Sequence, residues 1–215
     1  MGAENSHELG TIEVAVGPMF ADKTGWLGIK VAKHLHFKNP ALIVTHILEA
    51  KRAGVKTLKS RNGLLLPCEN ASSADEIYNL MLARKIFDRT SKPRTLAIDE
   101  MQFFDTKLAL LAVEAQRNGI RVFAAGLDQY FNEEFCPTSA AMMAVATSIE
   151  KLASGCDVCG LDSATRTQML IDGQPAPYNS PKVAVGDKNP LKNSKVTYGA
   201  RCLNHHIVPG KPNFK

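Results

Sequence analysis

The sequence is short of cysteine, of net charge and of long apolar runs, and each shortage excludes a class of protein. Five cysteines among 215 residues are few, and odd in number, for the disulfide framework of a small secreted domain. No apolar run approaches the roughly 18 residues that cross a bilayer, and the first residues lack the pattern of a secretory signal. A net charge of +5 is too dilute for a protein that coats nucleic acid. We therefore expect neither a membrane nor nucleic acid among the partners.

What the sequence does contain is an ordinary globular composition arranged in alternating segments. Apolar residues make up 45% of the chain and charged residues 22%, which suffices for a packed core. Apolar runs predict strands at 11–16, 41–48, 64–66, 94–99 and 120–126. Helical patterns lie at 25–37, 73–87 and 105–118, the second with Ser72 or Ser73 as its cap. Alternation of strand and helix predicts an α/β fold with a parallel sheet flanked by helices.

The composition changes after about Lys151. Glycine, proline, asparagine, serine and lysine become dense, and the CxxC pair of the chain lies here. We interpret residues 1–153 as an α/β nucleotide-binding domain and 154–215 as a small, loop-rich second domain.

A first motif follows the first predicted strand. Residues 17–24 (GPMFADKT) have the length of a phosphate-binding P-loop between a strand and a helix. Such a loop wraps phosphate oxygens with backbone N–H groups and supplies a lysine and a metal-binding hydroxyl. Lys23 and Thr24 fit those roles, whereas Asp22 stands where the motif requires glycine.

A second motif ends the buried strand at 94–99. Asp99 is placed like the aspartate that helps to hold the metal ion in P-loop proteins. The adjacent Glu100 could act as general base for a substrate hydroxyl. A DExQ string also occurs in helicases, but their paired motor domains need a much longer chain than this one.

A third motif joins two short chelating pairs, Cys156-x-x-Cys159 and Cys202-x-x-His205. Three thiolates and one imidazole are a typical structural zinc set. The spacing favours His205 as the fourth ligand, with His206 as the alternative. A redox function for the CxxC is weakened because no thioredoxin-like βαβ unit precedes it.

Taken together, the order of the motifs is similar to that of the type II thymidine kinase family. The resemblance is carried by GPMF-x-x-K-T, IDE-x-QFF, A-GLD-x-x-F, KL-x-x-x-C-x-x-C and Y-x-x-x-C-x-x-H, and it covers about residues 11–206. It implies a RecA-like P-loop domain and a zinc domain that carries a "lasso" loop over the nucleoside. It also implies transfer of the ATP γ-phosphate to the 5′-hydroxyl of thymidine or deoxyuridine.

The resemblance implies a role for each matching residue. Gly17, Lys23, Thr24 and Asp99 would bind ATP and Mg²⁺, and Glu100 would accept the 5′-hydroxyl proton. The zinc ligands would be the four residues of the chelating pairs. Residues that match apolar or lasso positions around the nucleoside are Met19, Phe104, Leu127, Phe131, Phe135, Val183, Gly186 and Tyr198.

The departures from the family pattern concentrate at the phosphate site. Asp22 replaces glycine, Gly25 replaces threonine, and Glu49 and Lys51 stand for aspartate and arginine. A carboxylate about 6 Å from a phosphate charge would repel it by roughly 2–3 kcal/mol at an effective dielectric of 20. A relative with impaired ATP binding and a binding or structural role is therefore the alternative function.

The resemblance and the cysteines also bear on assembly and location. The family is commonly a homotetramer, which implies a homo-oligomer here. Cysteines held as zinc thiolates indicate a reducing compartment, so we expect the protein in the cytoplasm.

Overall fold

The computed structural model describes residues 10–48, 57–59, 63, 65–88, 93–182, 191 and 193–213. The predictions made for Glu49, Lys51, Val183 and Gly186 lie outside these residues.

A six-stranded sheet forms the centre of the molecule. Its strands are β1 (Ile12–Val16), β2 (Ala41–His46), β5 (Glu69–Ala71), β6 (Arg94–Ile98), β7 (Ile120–Gly126) and β8 (Ser148–Lys151). The order across the sheet is β5-β2-β6-β7-β1-β8, and every neighbouring pair is parallel. The predicted parallel α/β architecture is confirmed.

Helices cover both faces of this sheet. They are α1 (Lys23–His36), α2 (Ala74–Ala83), α3 (Lys107–Arg117) and α4 (Pro137–Val145). Buried side chains of α2, α3 and α4, among them Ile77, Leu108 and Met142, form one core with the sheet. Leu27 and Val31 of α1 belong to a second core. The inner strands are buried on both faces, which explains their continuous apolar runs.

The segment before α2 differs from the sequence-based expectation. The strand predicted at 64–66 forms as β4 (Leu65–Pro67), and it pairs antiparallel with β3 (Thr57–Lys59) in a separate two-stranded sheet. Leu58 and Leu66 of this hairpin are buried in the α1 core. The hairpin therefore caps that core instead of extending the parallel sheet. The predicted cap of α2 is Ser73, whose Oγ accepts from the Glu76 N–H at 3.2 Å.

A three-stranded antiparallel sheet follows the zinc-motif cysteines Cys156 and Cys159. It has the order β10-β9-β11 and consists of β9 (Arg166–Ile171), β10 (Gln174–Pro175) and β11 (Val196–Arg201). Among the described residues, no helix has both the length and the apolar composition that crossing a bilayer requires.

Candidate active site and metal centre

The predicted phosphate loop connects β1 to α1 at the carboxyl edge of the parallel sheet. Its first residue, Gly17, is closely approached by the chain after β8. A Cβ on Gly17 would lie 2.4 Å from the Leu152 carbonyl oxygen, while the Leu152 N–H donates to the Val16 carbonyl at 2.8 Å. Glycine is required at this position because the neighbouring backbone leaves no room for a side chain.

Lys23 and Thr24 begin α1 and lie beside the end of β6. The buried Lys23 side chain donates from Nζ to the Pro18 carbonyl at 2.6 Å, so its ammonium closes the loop. The Thr24 hydroxyl donates to Oδ2 of Asp99 at 3.0 Å. The structure thus brings together the loop residues and the strand-end aspartate that the sequence placed 75 positions apart.

Asp99 and Glu100 form an acidic pair in a protected position. Asp99 is buried, and burial together with the adjacent Glu100 charge raises its pKa to about 7, against the opposing effects of the Thr24 hydrogen bond and the Lys23 charge. A divalent cation would relieve the repulsion between these carboxylates, and the hydroxyl and carboxylate oxygens present are ligands that Mg²⁺ accepts. The residues at this position therefore fit a magnesium ion.

Gln102 is a residue of this site to which the sequence assigned no role. It is buried, and its Nε2 donates to the Glu100 carboxylate. Its Oε1 accepts from the Leu127 N–H at 2.9 Å, in space left open by Gly126, where a Cβ would lie 2.4 Å from Oε1. The IDE-x-QFF motif could have indicated a role for Gln102, because it contains a polar residue just after a buried strand.

The residues predicted around the nucleoside divide into three groups by exposure. Phe104 and Phe131 are buried. Met19, Leu127 and Tyr198 are half-buried, whereas Phe135 is 73% exposed. Phe131 and Tyr198 share one apolar cluster.

The phosphate loop is also attached to the second sheet. The Met19 N–H donates to the Thr167 hydroxyl of β9 at 3.0 Å. The Ser154 hydroxyl donates to the Phe20 carbonyl at 3.2 Å. Two hydrogen bonds therefore attach the loop to residues that follow β8, one of them in β9.

The four predicted zinc ligands converge in one cluster. One ligand atom from each of Cys156, Cys159, Cys202 and His205 lies within 4.8 Å of the others. His205 Nδ1 is 3.1 Å from the Cys202 sulfur and 3.7 Å from the Cys156 sulfur. Three sulfurs and one imidazole nitrogen at this separation match a tetrahedral zinc site.

Electrostatics and the neighbouring histidine agree with this assignment. Desolvation raises the pKa of Cys156, but backbone N–H groups of Cys202, Cys159 and Val158 outweigh it and bring the pKa to about 5. The thiolate is the form that binds zinc. His206 lies outside the cluster, because its Nε2 is 2.9 Å from the Phe131 carbonyl and 3.2 Å from that of Thr167.

Asp22 is the residue at which helix α1 begins. Its backbone is left-handed, with φ 53° and ψ 34°. Both carboxylate oxygens lie 2.4 Å from the point where a Cβ on Gly25 would be. The carboxylate is therefore packed against the first turn of α1.

These features define a P-loop nucleotide-binding protein: a loop lysine and threonine at a strand-end carboxylate pair, on a parallel sheet. A model of the family described as thymidine kinase matches residues 10–206. The chain is 33% identical to the thymidine kinase of Mycoplasmoides gallisepticum, over 96% of this chain and 88% of that protein. It is 32% identical to the thymidine kinase of Thermococcus kodakarensis, over 94% of this chain and 97% of that protein. The chain belongs to the thymidine kinase family.

Proposed function

We propose that this chain transfers the γ-phosphate of ATP to the 5′-hydroxyl of thymidine or deoxyuridine. Membership of the thymidine kinase family supports the reaction. The observation that carries it is the hydrogen bond from Thr24 to Asp99 at 3.0 Å. This bond places a loop hydroxyl and a buried carboxylate where a nucleotide-bound metal ion would need both.

The phosphate loop would bind the triphosphate. The amides that follow Gly17 would wrap the phosphate oxygens, and Lys23 would exchange its bond to the Pro18 carbonyl for a phosphate oxygen. Thr24 and Asp99 would hold Mg²⁺, which when bound supplies charge neutralisation at the β- and γ-phosphates. The negative charge on the transferred phosphoryl group would be stabilised mainly by these groups, because they are held in position before the reaction begins.

Glu100 would accept the proton of the 5′-hydroxyl. Its backbone lies in the left-handed region, with φ 53° and ψ 42°, and its carboxylate is held by Gln102. This role requires the Glu100 carboxylate to be held in place beside the 5′-hydroxyl. Gln102 provides that position by joining Glu100 to the end of β7.

The nucleoside would bind between the ends of the parallel strands and the second sheet. Phe104 is buried in the core of the parallel sheet and Phe131 in the cluster that contains Tyr198, and Met19, Leu127 and Tyr198 add half-buried apolar surface. The exposed Phe135 is available to cover the base from outside. Buried apolar walls with few polar groups are typical of small-molecule sites.

Zinc would have a structural role at Cys156, Cys159, Cys202 and His205. These ligands join the turn before β9 to the end of β11, a region with a small apolar core of its own. Metal ligation stabilises such a region when apolar burial is small. The domain boundary near 153, a homotetramer and a cytoplasmic location stay predictions.

The direct test is incubation of the purified protein with labelled ATP, Mg²⁺ and thymidine. We expect thymidine monophosphate, and we expect Glu100→Gln to lower kcat by about 100-fold or more, the usual contribution of a general base. Glu114→Gln, an exposed position on α3, is the matched control and should retain activity. Absence of product from the native protein at millimolar ATP would contradict the proposed function.

A further inference from the structure

Asp22 and Gly25 are three positions apart, and the structure places them in contact. An ideal Cβ on Gly25 would lie 2.4 Å from Oδ1 and Oδ2 of Asp22 and 2.5 Å from its Cγ. Atoms in proteins do not approach so closely, and Gly25 is buried. The Asp22 carboxylate therefore fills the space in which a side chain at residue 25 would begin.

The backbone at Asp22 suits this arrangement. The residue lies in the left-handed region, which aspartate, asparagine and glycine adopt more readily than other residues. Its carbonyl accepts from the Trp26 N–H at 3.0 Å, so residue 22 sets the start of α1. The first turn of α1 contains no acidic residue, and the carboxylate supplies the negative charge that a helix start favours.

We propose that Asp22 and Gly25 are a matched pair, in which the Asp22 carboxylate replaces the absent side chain at residue 25 and thereby positions the phosphate loop for ATP. This inference rests on the ATP-dependent reaction proposed above. A Cβ at residue 25 would displace the Asp22 carboxylate from this space. Glycine at residue 22 would leave a gap beside Gly25. Gly25→Ala is therefore harmful only while Asp22 is present, and the coupling between the two positions separates this packing from the charge of Asp22.

The test is a double-mutant cycle of Gly25→Ala, Asp22→Gly and the double variant. ATP affinity is measured without thymidine, by calorimetry and by the fluorescence of Trp26, the single tryptophan, which follows Gly25. We expect Gly25→Ala to weaken ATP binding about tenfold in the native background, although alanine favours a helix over glycine. With glycine at 22 the same change should leave affinity within about threefold.

Two further substitutions separate packing from charge and from general damage. Asp22→Asn keeps the shape and the left-handed backbone but removes the charge, so Gly25→Ala should stay harmful in combination with it. Gly155→Ala places a methyl group where no atom lies within 4 Å and should leave ATP affinity unchanged. If Gly25→Ala alone does not fold, the same coupling is expected as recovery of the melting temperature in Asp22→Gly/Gly25→Ala.

Two results would overturn the matched pair. One is an equal effect of Gly25→Ala on ATP affinity and melting temperature with aspartate or glycine at 22. The other is a harmless Gly25→Ala in the native background. A native protein that binds ATP, shows the coupling and makes no thymidine monophosphate would contradict the proposed reaction and leave the pair in place.

Discussion

The Thr24 hydroxyl connects the phosphate loop to strand β6 through its 3.0 Å hydrogen bond to Asp99. Thr24→Val preserves the shape of the side chain but removes this donor and the proposed metal ligand. We expect kcat to fall by about two orders of magnitude and the Mg²⁺ concentration for half-maximal rate to rise. Thr24→Ser should recover most of both, and steady-state rates across a Mg²⁺ titration measure the difference. Equal kinetics for the valine and serine variants would contradict a role for the hydroxyl.

Gln102 joins the proposed base to the end of β7 by two hydrogen bonds, to Glu100 and from Leu127. Gln102→Leu removes both and leaves the Glu100 carboxylate without this donor. Misplacement of a catalytic group by about 1 Å costs on the order of 100-fold in rate, so we expect kcat to fall by one to two orders of magnitude. The KM for thymidine should change much less. Gln116→Leu on α3 is the control, and a loss confined to KM would argue against a positioning role.

The motifs assigned Thr24 and Asp99 to one metal ion, and the structure joins the two side chains by a hydrogen bond. Parallel strands bring their carboxyl ends to the same edge of the sheet, so a P-loop after one strand and an aspartate at the end of another share that edge. The orientation of Asp22 could not be predicted in the same way. The sequence shows the charge of Asp22, whereas the packing of its carboxylate against Gly25 exists only after the first turn of α1 has formed.

Helix α1 and strand β2 each bury a histidine, and both should make stability depend on pH. Desolvation, with the charges of Arg121 and Lys33, lowers the pKa of His34. Desolvation likewise lowers the pKa of His46 despite its contact with the Ser72 carbonyl. Each therefore binds a proton less readily in the folded protein than in the unfolded chain, where the pKa is near 6.5. The contribution of the two histidines to the free energy of unfolding is fully present above about pH 6.5. It is lost as the pH falls from there through the lowered pKa values of the folded protein.

The expected slope is at most about 1.4 kcal/mol per pH unit for each of these histidines. Denaturant unfolding between pH 5 and pH 8 would measure it. His34→Gln should reduce the slope, whereas His36→Gln, at an exposed position on the same helix, should not. An unchanged slope for His34→Gln would show that its neutral form is not preferred on folding.

The same elements show how far a strand or helix can be predicted from its own residues. Strands β1, β2, β6 and β7 are mainly apolar because they are largely buried on both faces, and they were predicted correctly. Strand β8 has four exposed residues at the sheet edge, so no apolar pattern reveals it. Strands β3 and β5 have only three residues each, and their pairing is decided by the core that they cover.

The phosphate loop is hydrogen-bonded to strand β9 of the second sheet. Loss of zinc should therefore change ATP binding as well as the stability of the zinc-binding region. Cys202→Ser should release about one zinc per chain, and a loss of about 3 kcal/mol would lower the melting temperature by roughly 6–12 °C. ATP affinity should also fall, because Thr167 and Ser154 hold Met19 and Phe20. Metal analysis, thermal unfolding and calorimetry measure the three effects.

Cys68→Ser provides the comparison, since Cys68 is buried in the α1 core away from the metal cluster. It should keep its zinc. A Cys202→Ser protein that retains zinc, or one that loses zinc and keeps the native melting temperature, would contradict a structural metal.

The phosphate loop is attached both to the parallel sheet and to residues that follow β8. This limits which segments can be exchanged between this chain and a relative. A chimera that takes residues 154–213 from a relative would keep the P-loop sequence. Its loop would nevertheless lose two hydrogen bonds unless the relative supplied hydroxyl groups at positions 154 and 167. The nucleotide affinity of such a hybrid would follow the origin of its second half. Residues that never touch the triphosphate would thus help to determine how tightly it is held.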